Sequence, residues 1–168
     1  DYENPTDSDV NNTYIVSVNA TDKVGNSSSQ TVTVSVADID DVTPIITGLS
    51  GEAGDSTSSI AIDENETSIG TFTADETVSW SINGGVDKDK FQINKSTGAL
   101  SFNAAPDYEN PTDSDENNTY IVSVNATDKA GNASSQIVTV SVSDVDDIKP
   151  IITGPSGNPG DATGTISI

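Results

Sequence analysis

The chain has 168 residues, of which 27 are acidic and six are basic, so its formal net charge is −21. Nucleic acids and anionic membrane surfaces need a basic footprint, and both are therefore excluded as partners. The sequence contains no Cys, His or Met, which excludes disulfides, thiolate zinc sites and imidazole bases. Metal chemistry is left with hard oxygen ligands, which suit Ca²⁺ or Mg²⁺. No apolar run approaches the ~18 residues that a membrane span requires.

A long internal repeat dominates the sequence. Residues 1–48 reappear at 107–154 with eight differences, at an offset of 106 residues. The similarity continues more weakly from 49–62 to 155–168. A period of this length is that of a whole small domain rather than of a helical or leucine-rich repeat. The sequence therefore predicts a tandem array of domains.

Short segments of alternating apolar and polar residues predict strands. In chain order they surround Phe72 and Ala74, Trp80 and Ile82, Phe91 and Ile93, and Leu100 and Phe102. Residues 120–126 and 136–142 alternate in the same way, and the turn-rich segment 128–135 joins them, so they are predicted to be antiparallel neighbours. No stretch has a helical period. About seven short strands predict an all-β Greek-key sandwich.

Acidic stretches at 38–44 and 144–150 contain Pro and are predicted to separate consecutive repeats. On this division, residues 43–148 form a complete repeat, and residues 1–42 form the last two strands of an upstream one. Residues 149–168 form the beginning of a downstream repeat. An isolated hairpin is marginally stable in water, so the two partial repeats are expected to be frayed or to pair with another molecule.

The order of short motifs in the central segment resembles that of bacterial cadherin-like repeats. The motifs are Glu64-Asn65, Gly70-Thr71, Ala74-Asp75, Phe91-Gln92-Ile93, Thr97-Gly98-Ala99-Leu100, Asp107-Tyr108-Glu109, Ala126-Thr127-Asp128 and Asp144-Val145-Asp146-Asp147-Ile148-Lys149-Pro150. One tripeptide alone would be weak support, but the ordered series covers all of 43–148. The resemblance implies a secreted or surface-exposed bacterial adhesin in which Ca²⁺ binds between consecutive repeats.

The resemblance also implies which residues hold the calcium ions. The first junction would use Asp1, Glu3, Asp40, Asp41, Asp75 and Asp128, and the second would use Glu64, Asp107, Glu109, Asp146 and Asp147. Each set would be completed by ligands from a neighbouring repeat of which this chain contains only a part. The family usually has a second Asp two residues after the position of Asp75, whereas this chain has Glu76 directly after it. This difference predicts one or two ions per junction rather than three.

The physical logic of the second set does not depend on the resemblance. Ca²⁺ takes six to eight oxygen ligands, more than any one segment supplies. Asp107 and Glu109 are two residues apart, so on an extended segment their side chains would point the same way. Their like charges would repel, and a bound cation would remove the repulsion.

Two other features have a functional and a structural interpretation. Oxygen-bearing side chains alternate in the segment 113–118, as in a calcium loop, but the central Gly and the later Glu are missing. A polar hairpin loop with Asx turns is the favoured interpretation. Trp80 could stack on a sugar, but it shares a strand face with Ile82, which favours a core position.

Three classes of function are open to such a chain. The leading hypothesis is a structural module that extends and stiffens an extracellular adhesin, with calcium fixing each junction. The alternative is a module that itself binds a partner repeat or a glycan. An enzyme is not predicted, because no motif places an acid in an apolar pocket and no His or Cys nucleophile system exists.

Overall fold

The computed structural model describes residues 1–154 and 158–164, and the chain divides into two compact units, Asp1–Val42 and Thr43–Ile168. In the first unit, β1 (Thr13–Thr21) pairs antiparallel with β2 (Ser27–Ser35). Asp22 closes the turn between them, since its carboxylate accepts the backbone N–H of Val24 and of Asn26. No helix in the described part of the chain is long and apolar enough to cross a membrane.

The second unit is built from short strands. They are β3 (Ile46–Thr47), β4 (Thr57–Asp63), β5 (Ser68–Thr71), β6 (Thr73–Ala74), β7 (Ser79–Gly84), β8 (Phe91–Ile93), β9 (Ala99–Phe102), β10 (Thr119–Thr127) and β11 (Ala133–Ser143), with a 3₁₀ turn at Lys88–Lys90. Only Phe72 separates β5 from β6. The sequence predicts fewer strands because such interruptions leave the alternating pattern intact.

The strands form a β-sandwich, which confirms the predicted fold class. The larger sheet has the order β4-β11-β10-β7, the smaller has the order β5-β9-β8, and β3 and β6 form a separate pair. β10 and β11 are antiparallel neighbours, as their alternation and the intervening turn predict. β4 joins the far side of β11 in parallel, with Thr57 opposite Ile137 and Asp63 opposite Ser143.

The core of the second unit lies between the two sheets and follows the alternation of the strands. β10 contributes Tyr120, Val122, Val124 and Ala126, each at most 1 % exposed. The smaller sheet contributes aromatic side chains, among them Phe102, whose ring packs edge-on to Tyr120 at a centroid distance of 4.9 Å. Trp80 is buried, so the prediction of a core tryptophan is confirmed.

The same sequence is buried in one unit and exposed in the other. Val122 on β10 is 0 % exposed, whereas its repeat counterpart on β1, Val16, is 51 % exposed. Val140 and its counterpart Val34 differ in the same way, at 0 % and 50 %. The apolar face of the β1–β2 hairpin is therefore exposed. The repeat counterparts of its residues lie in a complete sandwich core in the second unit.

Candidate metal site

Three acidic side chains meet at one end of the sandwich. Glu64 directly follows β4, and Asp144 directly follows β11. Because these strands run parallel, their C-terminal ends lie at the same end of the sheet. There the backbone N–H of Glu64 donates to the carbonyl of Ser143 at 3.0 Å. Glu109 lies in the segment between β9 and β10. The parallel pairing of β4 and β11 thus brings residues 80 positions apart together.

Glu64 is the anchor of this cluster. The side chain is 3 % exposed. One carboxylate oxygen accepts the backbone N–H of Tyr108 at 2.8 Å, and the other accepts that of Val145 at 2.8 Å. The hydrogen bond from Tyr108, followed by that from Val145, lowers the pKa of Glu64 in spite of its burial. An ionised carboxylate therefore ties the loop before β10 to the segment after β11.

The cluster has the dimensions of a calcium site. Carboxylate oxygens of Glu64, Glu109 and Asp144 all lie within 4.8 Å of one another. Oxygens bound to a common Ca²⁺ at 2.3–2.6 Å can be at most ~5.2 Å apart. The donor set consists of hard carboxylate oxygens, which Ca²⁺ prefers. Three carboxylates leave several coordination positions for backbone carbonyls, water or further acids.

Glu109 is held in an unfavourable electrostatic environment. Its own backbone N–H has the largest single effect and lowers the pKa. Desolvation and the negative charges of Glu64, Asp144 and Asp147 act against it, and together they raise the pKa of Glu109. A cation at this position would relieve the repulsion.

The structure places the other predicted ligands of this set nearby in sequence but outside the three-carboxylate group. Asp107 and Asn110 form a turn, with the backbone N–H of Asn110 donating to the carboxylate of Asp107 at 3.0 Å, so the segment is not extended as assumed from the sequence. Asp147 accepts a hydrogen bond from the side-chain amide of Asn65 at 3.2 Å. Asp146 is exposed. Their role as ligands remains a prediction.

Asp144 was missed by the sequence reasoning. It opens the Asp144-Val145-Asp146-Asp147 motif, and the two later acids were preferred on the resemblance. The signal that identifies Asp144 is its position directly after the last residue of β11. Recognising it also requires knowing that β4 lies parallel beside β11, which no local pattern reveals.

The residues predicted for the first junction are divided between the two units. Asp1, Glu3, Asp40 and Asp41 are exposed residues of the first unit. In the second unit, Asp75 accepts the backbone N–H of Ile45 at 2.7 Å. Their use as ligands stays a prediction.

Asp128, the last member of that predicted set, closes the β10–β11 turn. Its carboxylate accepts the backbone N–H of Gly131 at 2.6 Å and of Asn132 at 2.8 Å. Burial is the largest single effect and opposes ionisation, but the hydrogen bonds from Asn132 and Gly131 outweigh it and lower the pKa of Asp128. A turn-closing function thus accounts for this residue independently of any ion.

The segment 113–118 forms a hairpin loop with Asx turns, as favoured from the sequence. Asp113 accepts the backbone N–H of Asn117 at 2.8 Å and of Asn118 at 3.2 Å. The loop is fastened to the sandwich by Asp87, whose carboxylate accepts the backbone N–H of Ser114 at 2.7 Å and of Ile121 at 2.8 Å. These bonds give both acids a structural role.

Comparison with solved structures identifies the class to which this fold belongs, that of cadherin extracellular repeats. The chain is similar to protocadherin gammaB7 EC3-6, titled a cis-dimer structure, with 25 % identity, a TM-score of 0.57 and coverage of 91 % of this chain and 38 % of that one. It is similar to human CDH23 EC21-23 with 24 % identity, a TM-score of 0.56 and coverage of 86 % and 48 %. For mouse clustered PcdhgC3 EC1-3 the identity is 18 %, the TM-score 0.51 and the coverage 84 % and 46 %.

The chain spans less than half the length of each of these three structures. No protein-family model matches the sequence, and no curated protein sequence matches it. The similarity to the solved structures confirms the fold of cadherin repeats. The bacterial context implied by the sequence resemblance stays a prediction.

Proposed function

We propose that this chain is a calcium-binding structural module that extends and stiffens an extracellular adhesin. The observation that carries the proposal is the group formed by Glu64, Glu109 and Asp144, whose carboxylate oxygens lie within 4.8 Å of one another. Like charges at such distances destabilise a fold unless a cation compensates them. The cadherin-repeat fold of the similar structures supports the same function.

Calcium would stiffen the module by adding a second connection between two segments that Glu64 already joins. Glu64 holds the segment before β10 and the segment after β11 through its two backbone hydrogen bonds. An ion bound to Glu64, Glu109 and Asp144 would fix the same two segments to each other a second time. Because residues 144–150 lead out of the sandwich, the direction in which the chain leaves would then depend on calcium.

The remaining ligand assignments belong to the same proposal. Asp107, Asp146 and Asp147 would complete the set around Glu64, helped by a following repeat. The set made of Asp1, Glu3, Asp40, Asp41, Asp75 and Asp128 rests on the sequence resemblance. The extracellular and bacterial setting of the adhesin is likewise proposed from that resemblance, in agreement with the acidic, cysteine-free composition.

A calcium titration of thermal unfolding tests the proposal. For a dissociation constant on the order of 10⁻⁴–10⁻³ M, as in other extracellular modules, the unfolding temperature should rise between micromolar and several millimolar calcium. Glu64→Gln should lose most of this rise, whereas Glu52→Gln, an exposed acid of the loop before β4, should keep it. An unfolding temperature that does not respond to calcium, or a response that Glu64→Gln leaves intact, would contradict the proposal.

Direct contact with a glycan is less well supported than a structural role. Trp80, Phe72, Phe91, Phe102 and Tyr120 are all buried in the core. Sugar-stacking platforms need exposed aromatic faces, and among the described large side chains only Tyr2 and Tyr108 offer one, at 39 % and 38 % exposure.

A further inference from the structure

β7 ends in the dipeptide Asn83-Gly84, and Asn83 is the one asparagine of the sequence that is followed by glycine. Asn83 is also exposed. An asparagine before glycine reacts with its own backbone faster than other asparagines do, because a residue without a Cβ lets its nitrogen approach the neighbouring side-chain amide closely. The local structure decides whether this reactivity is available in the folded protein.

A β-bulge lies at this dipeptide. Between Ser123 and Val124 of β10 the pairing with β7 shifts, so that it passes over Asn83 and continues at Gly84. The extra residue of a bulge is left out of the ladder, and the strand bends there. Asn83 is therefore less constrained by the sheet than Asn125, which is paired on both sides.

The side-chain amide of Asn83 is nevertheless held by the neighbouring strands. Its nitrogen donates to the hydroxyl of Ser135 on β11 at 2.8 Å and, less closely, to the side-chain oxygen of Asn125 on β10 at 3.4 Å. The hydroxyl of Ser135 donates in turn to the same oxygen of Asn125 at 2.9 Å. The amide must give up its bond to Ser135 before its carbon can turn towards the nitrogen of Gly84.

We propose that Asn83 is a site of spontaneous deamidation in the folded protein, restrained by the hydroxyl of Ser135. The backbone nitrogen of Gly84 attacks Cγ of Asn83, the new N–C bond closes a succinimide ring, and the bond from Cγ to Nδ2 breaks. The proton of the Gly84 amide leaves with the side-chain nitrogen as ammonia. Water then adds to one of the two ring carbonyls and opens the ring, which leaves aspartate or isoaspartate at this position.

The modification would weaken the attachment of β7, which is an edge strand of the larger sheet. A carboxylate at position 83 has no donor for the side-chain oxygen of Asn125. It also brings a negative charge onto β7, β10 and β11, none of which carries an acidic residue. Isoaspartate in addition inserts a side-chain carbon into the backbone, which displaces the chain beyond the bulge.

Gly84 provides a specific variant for the test. A Cβ at Gly84 would lie 3.5 Å from the Cβ of Ser123, an ordinary van der Waals contact, and the φ of Gly84 is not positive. Gly85 differs, because its φ is +99° and a Cβ there would collide with the backbone of Ile121. Alanine can therefore replace Gly84 without strain, and it hinders only the attack on Asn83.

Peptide mapping by mass spectrometry, after the whole folded chain has been kept in heavy-oxygen water at mildly alkaline pH, measures the reaction. Opening of the succinimide incorporates one solvent oxygen atom and so marks each converted residue. Asn83 should convert about tenfold faster than Asn94, an exposed asparagine followed by lysine, and Gly84→Ala should remove most of this difference. Ser81→Ala, an exposed position of the same strand, is the matched control and should leave the rate unchanged.

Two results would overturn the proposal. One is an Asn83 that converts no faster than Asn94, or equally fast with and without Gly84→Ala. The other is a conversion that appears only after the chain is unfolded in urea, because the reaction would then belong to the sequence and not to the folded protein. Thermal unfolding of each variant verifies that the proteins compared are equally folded during the incubation.

A second variant tests the restraint. Ser135→Ala frees the amide nitrogen of Asn83 and should speed its conversion several-fold, whereas Ser141→Ala, exposed on the same face of β11, should not. A Ser135→Ala protein that converts at the wild-type rate or more slowly would overturn the assigned role of Ser135. The reaction needs no cation and is measured in chelator, so its outcome is independent of that of the calcium titration.

Discussion

Two glutamates of the candidate metal site occupy opposite electrostatic environments within one cluster. Glu64 is buried and accepts two backbone N–H groups, which lower its pKa. Glu109 is exposed and faces Glu64, Asp144 and Asp147, and its pKa is raised. Ionised Glu64 therefore stabilises the folded protein, whereas ionised Glu109 destabilises it as long as no cation is bound. The two residues can be distinguished by experiment.

In the absence of calcium, Glu109→Gln should raise the unfolding temperature because it removes repulsion among the three carboxylates. Glu64→Gln should lower it because two backbone N–H groups lose a charged acceptor. Glu66→Gln, an exposed acid outside the cluster, serves as the control. In calcium both cluster variants should fall below the wild-type protein, since each lacks a ligand. An ion-free Glu109→Gln protein less stable than the wild type would contradict the assignment.

The pH dependence of this difference has a defined sign. A carboxylate whose pKa is raised on folding destabilises the protein above that pKa, and the penalty disappears as the pH falls below its ordinary value of 4.5. The ion-free advantage of Glu109→Gln should therefore be present at neutral pH and vanish in acid. Urea unfolding at a series of pH values in chelator, compared with the wild type, measures it.

At the scale of single strands, the repeat provides a matched pair of substitutions. Val122 on β10 and Val16 on β1 have the same neighbours in sequence, but Val122 is 0 % exposed and Val16 is 51 % exposed. Removing two buried methyl groups costs ~2 kcal/mol in free energy of unfolding, with a further contribution from the cavity. An exposed position changes it by less than ~0.5 kcal/mol.

We therefore expect Val122→Ala to shift the urea midpoint of the second unit strongly and Val16→Ala to leave it unchanged. The only tryptophan, Trp80, is buried in that unit, so its fluorescence reports this transition. A Val16→Ala variant as destabilised as Val122→Ala would show that the first hairpin shares the core of the second unit.

The alternation of the strands and the antiparallel pairing of β10 with β11 could be predicted from the sequence, but the parallel pairing of β4 with β11 could not. The buried faces of β10 and β11 follow from residue spacing, and Trp80 follows from its position beside Ile82. The parallel contact of β4 with β11 joins segments 80 residues apart and leaves no local signal. Asp144 was missed for this reason, because only that contact brings it to Glu64.

Buried polar residues were also beyond the reach of the alternation pattern. Gln136 stands at a core position of β11, where the pattern alone predicts an apolar side chain. Its explanation lies in the backbone carbonyl of Asp55, 81 residues earlier in the chain. The turn at Asp107 has the same origin, because it forms where the backbone N–H of Tyr108 donates to Glu64. Such contacts depend on tertiary structure and override local expectation.

At the scale of the whole molecule, acidic residues are almost absent from the strands of the described part of the chain. Of the 27 acidic residues, Asp63 alone lies within one of the strands of the described residues. The sheet faces consequently carry Ser, Thr and Asn, while negative charge collects in the turns and in the segments that follow the sheets. Repulsion within a chain of net charge −21 has two components, a diffuse one over the molecule and a local one at the candidate metal site.

Monovalent salt and calcium should separate these two components. The Debye length falls from ~10 Å at 0.1 M to ~3 Å at 1 M, so sodium chloride weakens repulsion between distant charges first. The carboxylate oxygens of Glu64, Glu109 and Asp144 lie within 4.8 Å, too close for 0.1 M salt to screen effectively. Millimolar calcium should therefore raise the unfolding temperature well beyond sodium chloride of equal ionic strength.

The two components can be measured by thermal unfolding of the wild type and of Glu64→Gln. Each protein is unfolded once in chelator with sodium chloride and once in calcium chloride of matched ionic strength. The response to sodium chloride should be nearly the same in both proteins, because one charge in a net −21 changes the diffuse repulsion little. The additional response to calcium should be confined to the wild type. If sodium chloride reproduced the whole effect of calcium, the ions would act by screening alone and the acidic cluster would not be a binding site.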